Sequence, residues 1–188
     1  MPIWLPSIFA ILIIGITIFA PPTFAEQLSN PQLQALIEKA EQGDMQAQSN
    51  LANRYYLGEG ITQDVKLAAL WYEKLANNGV AEAQLTLGLI YIRGEGVKQD
   101  NAKALHWLNL AAEQRLPMAQ YLLGLAHEEG HGLEIDKVKA YMWYEISAAM
   151  DNNKNSVDAR SALAKQMNQE DITQAEAMAT EWWMKFHH

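Results

Sequence analysis

The chain has no cysteine among its 188 residues. It therefore forms no disulfide bond, has no thiolate ligand for a metal and has no cysteine nucleophile. Basic residues are also few, since 14 lysines and arginines stand against 22 aspartates and glutamates, for a formal net charge of −8. Nucleic acids and anionic membrane surfaces bind basic patches, so this balance argues against both as partners.

The sequence also lacks the common catalytic motifs. It has no G-x-S-x-G nucleophile turn, no glycine-rich phosphate loop and no dinucleotide-binding fingerprint. The G-x-G pairs that it does contain are too short for a phosphate site, and we expect them to lie between helices. We therefore expect a protein that is not an enzyme and that uses no cofactor or metal.

Charged residues and histidine are missing from residues 1–25. This segment contains an apolar run over 8–20, then two prolines, and small residues at positions −3 and −1 relative to Glu26. The pattern is typical of a secretory signal peptide, and it predicts export, to the periplasm of a bacterial envelope or beyond it. No lysine or arginine precedes the apolar run, and from Ile3 to Ala20 the segment is about long enough to span a bilayer, so the alternative is an uncleaved membrane anchor.

A fixed period of 36 residues organises the rest of the chain. Three repeats, 43–78, 79–114 and 115–150, align without gaps. A period of this length predicts an array of stacked structural repeats. The positions that keep the same residue type in all three include, in the second repeat, Ala83, Leu87, Gly94, Gly96, Asp100, Ala104 and Trp107.

The pattern within each repeat predicts two helices joined by a glycine turn. In the second repeat, Ala83, Leu87 and Tyr91 lie four residues apart on one face of the first helix. Gly94 is placed to end that helix, and Asp100 is placed to cap the second one. We also expect the helix-interior Gly88 to have a packing reason, since glycine there costs about 0.5–1 kcal/mol relative to alanine.

Both ends of the array are predicted to carry capping helices. The N-terminal one lies within 26–42 and begins at Asn30-Pro31. Residues 151–188 read as a degenerate repeat followed by a C-terminal capping helix that starts near Glu170. We expect this segment to begin with a polar loop over 151–156, directly after the third repeat. Such caps cover the stacking faces that terminal repeats would otherwise expose.

The pattern A-x-x-x-L-G-x-x-Y-x-x-G-x-G-V-x-x-D-x-x-K-A-x-x-W, read from Ala83 to Trp107, resembles the Sel-one-like repeat family (SLR), a relative of the tetratricopeptide repeats. The resemblance covers 43–150, with a weaker tail. It implies an all-α fold, a right-handed α/α superhelical solenoid of helix pairs with a concave face. It also implies an adaptor or scaffold that binds a protein or peptide. Some cysteine-rich exported relatives are linked to β-lactam binding or hydrolysis, but this chain lacks their cysteines.

One stretch matches the zinc-protease motif H-E-x-x-H, from His127 to His131. That chemistry needs both histidines on one face of a continuous helix. Here Gly130 and Gly132 form the G-x-G of the third repeat, so the helix should end before His131. We interpret the motif as a coincidence of the repeat. An exported hydrolase, either zinc-dependent or β-lactam-hydrolysing, is the alternative function.

The first helix of each repeat also predicts a binding groove. If Leu87 and Tyr91 pack between units, tetratricopeptide-like geometry turns the opposite face toward the concave side. That face is polar in the first repeat and apolar in the second, and exposed apolar surface often marks a partner site. The alternative is that tight curvature buries these side chains between units. The predicted groove residues are Tyr56, Leu85, Leu89, Ile92, Tyr121 and Leu125, rimmed by Arg93 and Glu128.

Overall fold

The computed structural model describes residues 30–151 and 154–186, and within these ranges every regular element is an α-helix. The predicted signal segment, 1–25, lies outside them. None of the helices in these ranges combines the length and the apolar character needed to cross a membrane. The helices are α1 (Pro31–Glu41), α2 (Met45–Leu57), α3 (Val65–Asn77), α4 (Ala81–Arg93), α5 (Asn101–Glu113), α6 (Pro117–Glu129), α7 (Lys137–Asp151), α8 (Lys154–Ala164) and α9 (Gln169–Phe186).

The helices stack in chain order. Each helix from α1 to α6 packs on its successor, and α7 packs on both α8 and α9. The pairs α2–α3, α4–α5 and α6–α7 each lie within one 36-residue period, apart from the last residue of α7. The predicted all-α solenoid of helix pairs is therefore confirmed, with α1 before the first pair and α8 and α9 after the last.

Aspartate side chains begin the second helix of each repeat, as predicted. Oδ1 of Asp64 accepts a hydrogen bond from the backbone nitrogen of Leu67 at 2.9 Å. The equivalent carboxylates of Asp100 and Asp136 accept from the nitrogen three residues on, at 3.0 and 2.9 Å. Asn30 caps α1 in the same way. Each cap satisfies an N–H group that has no partner within its helix.

The two glycines of the G-x-G turn have different roles. Gly94 ends α4 in the left-handed conformation, with φ of +66°. Gly96 lies against the preceding repeat, because a Cβ there would come within 2.6 Å of the Lys66 backbone nitrogen. A Cβ on Gly132, its counterpart in the third repeat, would come within 2.5 Å of Asn101 Cβ. The second glycine therefore allows two neighbouring repeats to approach closely.

Close packing within a repeat also depends on glycine, which confirms the expected reason for Gly88. A Cβ on Gly88 would lie 2.9 Å from Cγ of Leu108 on α5. A Cβ on Gly124 would lie 2.4 Å from the ring of Tyr144 on α7. Both glycines are buried. The missing side chain thus leaves room for a large side chain of the second helix.

The chain after the third repeat is more helical than predicted. Asp151 still belongs to α7 and α8 begins at Lys154, so the predicted polar loop over 151–156 is wrong for the residues of it that the structure describes. Ser156 is fully buried, and its Oγ lies 2.7 Å from Oγ of Ser147 on α7. Polar side chains that satisfy each other can lie in a helix contact, so their polarity alone does not indicate a loop.

The tryptophans of the second and third repeats are buried in the core of the array. Trp107 and Trp143 are each only 8% exposed, whereas the equivalent Trp71 in the first repeat is half-buried. Trp182 of α9 packs edge-on against Trp143, with ring centroids 6.1 Å apart. α9 therefore covers the last repeat in the way expected of a capping helix.

Candidate functional site

The six predicted groove residues are all half-buried. Four of them pack against the C-terminal core cluster, the buried residues between Leu105 and Trp182; these are Leu85, Ile92, Tyr121 and Leu125. Tyr56 packs against the core of the first two repeats. Five of the six therefore pack against the core of the array, and all six keep some surface open to solvent. Their role in binding a partner stays a prediction.

Tyr56 connects the first repeat to the second. Its ring packs edge-on against Tyr72, with centroids 6.1 Å apart. Its hydroxyl lies 3.4 Å from Oε2 of Glu95, to which it donates, and 3.4 Å from the donor Nη1 of Arg93. Arg93 and Glu95 also form an ion pair at 3.6 Å. The predicted rim residue Arg93 therefore helps to position a tyrosine at the junction of these repeats.

At the next junction, between α5 and α6, the structure contains an apolar cavity of about 250 Å³. We call it the α5–α6 cavity. It brings together two of the predicted groove residues, Ile92 and Leu125. Its other lining residues are Gln99, Asn101, Ala104, Leu105, Leu108, Leu122, Ala126, Glu129 and His131. Apolar side chains with a few polar groups are the usual lining of a ligand site.

Sequence reasoning missed the α5 side of this cavity, because the groove prediction considered only the first helix of each repeat. A signal was nevertheless present. The position of Leu108 is Tyr72 in the first repeat and Tyr144 in the third. Comparing this position across the three units indicates that the middle repeat has a smaller side chain there than its neighbours.

The tyrosines of the second helix in the first and third repeats each donate a hydrogen bond to a polar side chain of the first helix. Tyr72 donates to Oδ1 of Asn53, and Tyr144 donates to Oε2 of Glu128, both at 2.7 Å. Burial raises the pKa of Tyr72 to about 12, and burial with the hydrogen bond to Glu128 raises the pKa of Tyr144. Both hydroxyls therefore remain donors. Leu108 has no hydroxyl, and the first helix opposite it needs no acceptor.

The H-E-x-x-H motif does not lie on one helix. α6 ends at Glu129, and Gly130, with φ of +76°, turns the chain. His131 therefore lies in the following loop, as predicted, where its Nε2 is 2.5 Å from Oε2 of Glu129. His127 lies within α6 and is half-buried. Zinc proteases hold both histidines of this motif on one face of a helix, and the two histidines here do not share a helix face.

His127 is a packing residue at the position that holds Tyr55 and Tyr91 in the other repeats. Its Nδ1 is buried and has no hydrogen-bond partner in the part of the chain that the structure describes. Burial lowers the pKa of His127, the charge of Lys139 lowers it further, and Asp136 opposes both. Within 30–151 and 154–186, no three His, Asp or Glu side chains are grouped to hold a metal ion.

A family model described as the Sel1 repeat matches three consecutive segments, residues 46–80, 81–116 and 117–152. Together they cover more than half of the chain. Each segment contains one helix pair of the array or nearly all of it. A comparison with curated proteins found no match.

Two solved structures resemble the chain. One is a protective antigen present in uropathogenic Escherichia coli strains that displays an SLR fold, with 33% identity and a TM-score of 0.74 over 84% of this chain and 34% of that one. The chain thus spans about a third of the antigen's length. The other is a Sel1 repeat protein from Oxalobacter formigenes, with 36% identity and a TM-score of 0.61 over 70% of this chain and 98% of that one. The chain belongs to the Sel1 repeat family.

Proposed function

We propose that this chain is an exported adaptor that binds a protein or peptide in a groove along α2, α4 and α6. Membership of the Sel1 repeat family suggests a protein–protein interaction module. The groove and the export are our additions to that statement. The observation that carries the groove is the half-buried apolar face of α4, which adjoins the α5–α6 cavity.

This surface favours a partner that presents apolar side chains. Leu89 and Ile92 keep part of their area in contact with water. Covering apolar area stabilises a complex by about 25 cal/mol per Å² before the costs of association. In the first repeat the equivalent of Leu89 is Asn53, whose side chain accepts from Tyr72. The second repeat is therefore where we expect the partner to bind most strongly.

Export is supported by the signal-peptide pattern in 1–25. We expect a mature chain that begins at Glu26 in the periplasmic fraction. N-terminal sequencing of the protein recovered from each cell fraction checks this. A membrane-bound chain that retains Met1 would support the anchor instead, and a chain in the cytoplasmic fraction would contradict export.

Photo-crosslinking in intact cells tests the groove. Leu89 is replaced by the photoreactive amino acid benzoylphenylalanine, and adducts are identified by mass spectrometry. The matched control places the same amino acid at Leu70 on α3, which is 51% exposed and outside the predicted groove. We expect a specific protein adduct from position 89 that position 70 does not give. Identical adducts from both positions, or none from position 89 in an expressed and folded protein, would contradict groove binding.

A further inference from the structure

The junction between the first two repeats shows what can fill the α5–α6 cavity. At that junction the rings of Tyr56 and Tyr72 pack against each other. One 36-residue period later, the equivalent residues are Ile92 and Leu108, and both line the cavity. Each is smaller than tyrosine and neither has a ring. The second junction therefore has space where the first junction has aromatic side chains.

The polar groups at the first junction have counterparts as well. The Tyr56 hydroxyl lies between Arg93 and Glu95. One period later these positions are Glu129 and His131, which line the cavity with their side chains 2.5 Å apart. A carboxylate and an imidazole can both form hydrogen bonds with a hydroxyl group. The second junction thus keeps a polar pair for a phenol but supplies no phenol of its own.

We propose that the α5–α6 cavity takes a tyrosine side chain of the partner. The ring lies against Ile92, Leu108 and Leu125, and its hydroxyl reaches Glu129 and His131, as the hydroxyl of Tyr56 reaches its own pair. A cavity of about 150 Å³ is enough to bind benzene in an engineered protein, and this one is about 250 Å³. The inference rests on the proposed function and adds the chemistry of the partner's segment.

The route into the cavity follows from two of its lining residues. Ile92 and Leu125 belong both to the predicted groove and to the cavity wall, and both are half-buried. A peptide that lies along the groove can therefore direct a side chain past them. The buried ring then replaces water against apolar walls, which is the main favourable contribution to binding.

Binding of p-cresol, the free equivalent of the tyrosine side chain, tests the cavity in the purified chain. We expect saturable binding with a Kd on the order of 1 mM. NMR shifts of the methyl groups of Leu105, Leu108 and Leu122 report where it binds. The absence of saturable binding, or shifts confined to other residues, would overturn the inference. The crosslink from position 89 does not depend on this result, so the two proposals can fail separately.

Two variants fill the cavity with residues that this chain already uses at the equivalent positions. Leu108→Tyr places a ring opposite Gly88, as Tyr144 lies opposite Gly124. Ile92→Tyr places a tyrosine at the position equivalent to Tyr56, and it replaces Leu108→Tyr in the experiment if that variant does not fold. The helical circular dichroism spectrum shows whether each variant is folded. We expect each folded variant to weaken p-cresol binding at least about tenfold. Unchanged binding in a folded variant would overturn the site.

The hydroxyl contact has its own test. Glu129→Ala should weaken p-cresol binding about 2- to 10-fold, which is the range for one hydrogen bond, and should leave toluene binding unchanged. An equal effect on both compounds, or none on either, would overturn the hydroxyl contact. N-acetyltyrosine amide carries the ring on a peptide backbone and should compete with p-cresol. Failure to compete would overturn a tyrosine side chain as the occupant.

Discussion

His127 illustrates how a position in the repeat changes the chemistry of one residue. Its ring stands where two other repeats place tyrosine, and its buried Nδ1 has no partner among the described residues. Folding therefore lowers the pKa of His127 below its ordinary value of 6.5. As the pH falls through 6.5, His127 therefore binds a proton in the unfolded chain before it does so in the folded chain. The contribution of His127 to stability is complete above pH 6.5 and is lost as the pH falls below that value.

We expect His127→Tyr to reduce the acid sensitivity of the fold. The free energy of unfolding is measured with urea at pH about 7.5 and about 5.5, on either side of the ordinary histidine pKa. The wild-type chain should lose more stability between the two pH values than the variant. Comparing the two losses of stability cancels the contributions of the titratable groups that both chains share. An equal loss in both chains would contradict this role of His127.

Gly124 is the residue whose replacement should do most harm inside a helix. Alanine favours a helix by about 0.5–1 kcal/mol over glycine, but its Cβ would lie 2.4 Å from the Tyr144 ring. We expect Gly124→Ala to destabilise the fold by about 1–3 kcal/mol, as overpacking does. Gly88→Ala is the control, since it meets the more adaptable Leu108 side chain. Equal urea midpoints for the two variants would show that the ring is not the cause.

At the scale of single helices, the starts and ends were largely predictable from sequence because they depend on local contacts. The carboxylate of Asp100 bonds a backbone nitrogen only three residues away, and Gly94 ends its helix by its own backbone conformation. Ser156 shows where prediction from local sequence fails. Its partner, Ser147, lies on another helix, so nothing local distinguishes a buried hydroxyl from a loop residue.

The cap at Asp100 gives a direct test of one helix start. Asp100→Ala removes the bond to the Lys103 nitrogen and should cost about 0.5–2 kcal/mol of stability. Asp100→Asn keeps a capping oxygen and should lie close to the wild-type chain. Urea unfolding of both variants measures the difference. If the asparagine variant is as unstable as the alanine variant, the carboxylate has a role other than capping.

At the scale of the whole molecule, the 36-residue period was enough to predict the array but not the open space within it. The α5–α6 cavity depends on residues from three helices of two repeats, and its size follows from how closely those repeats stack. Gly96 and Gly132 show that this spacing is determined by contacts between units. The exposure of the groove residues could not be read from one helix for the same reason.

The central claim is that the face of α4 binds the partner. It is tested most directly by the Kd of the partner identified by crosslinking, measured for the purified wild-type chain, Leu89→Asp and Leu70→Asp. A charge at position 89 faces the apolar groove, so that variant should bind at least about tenfold more weakly. Leu70→Asp should stay within about twofold of the wild type. Equal Kd values for Leu89→Asp and the wild type, with both chains fully helical, would contradict the account.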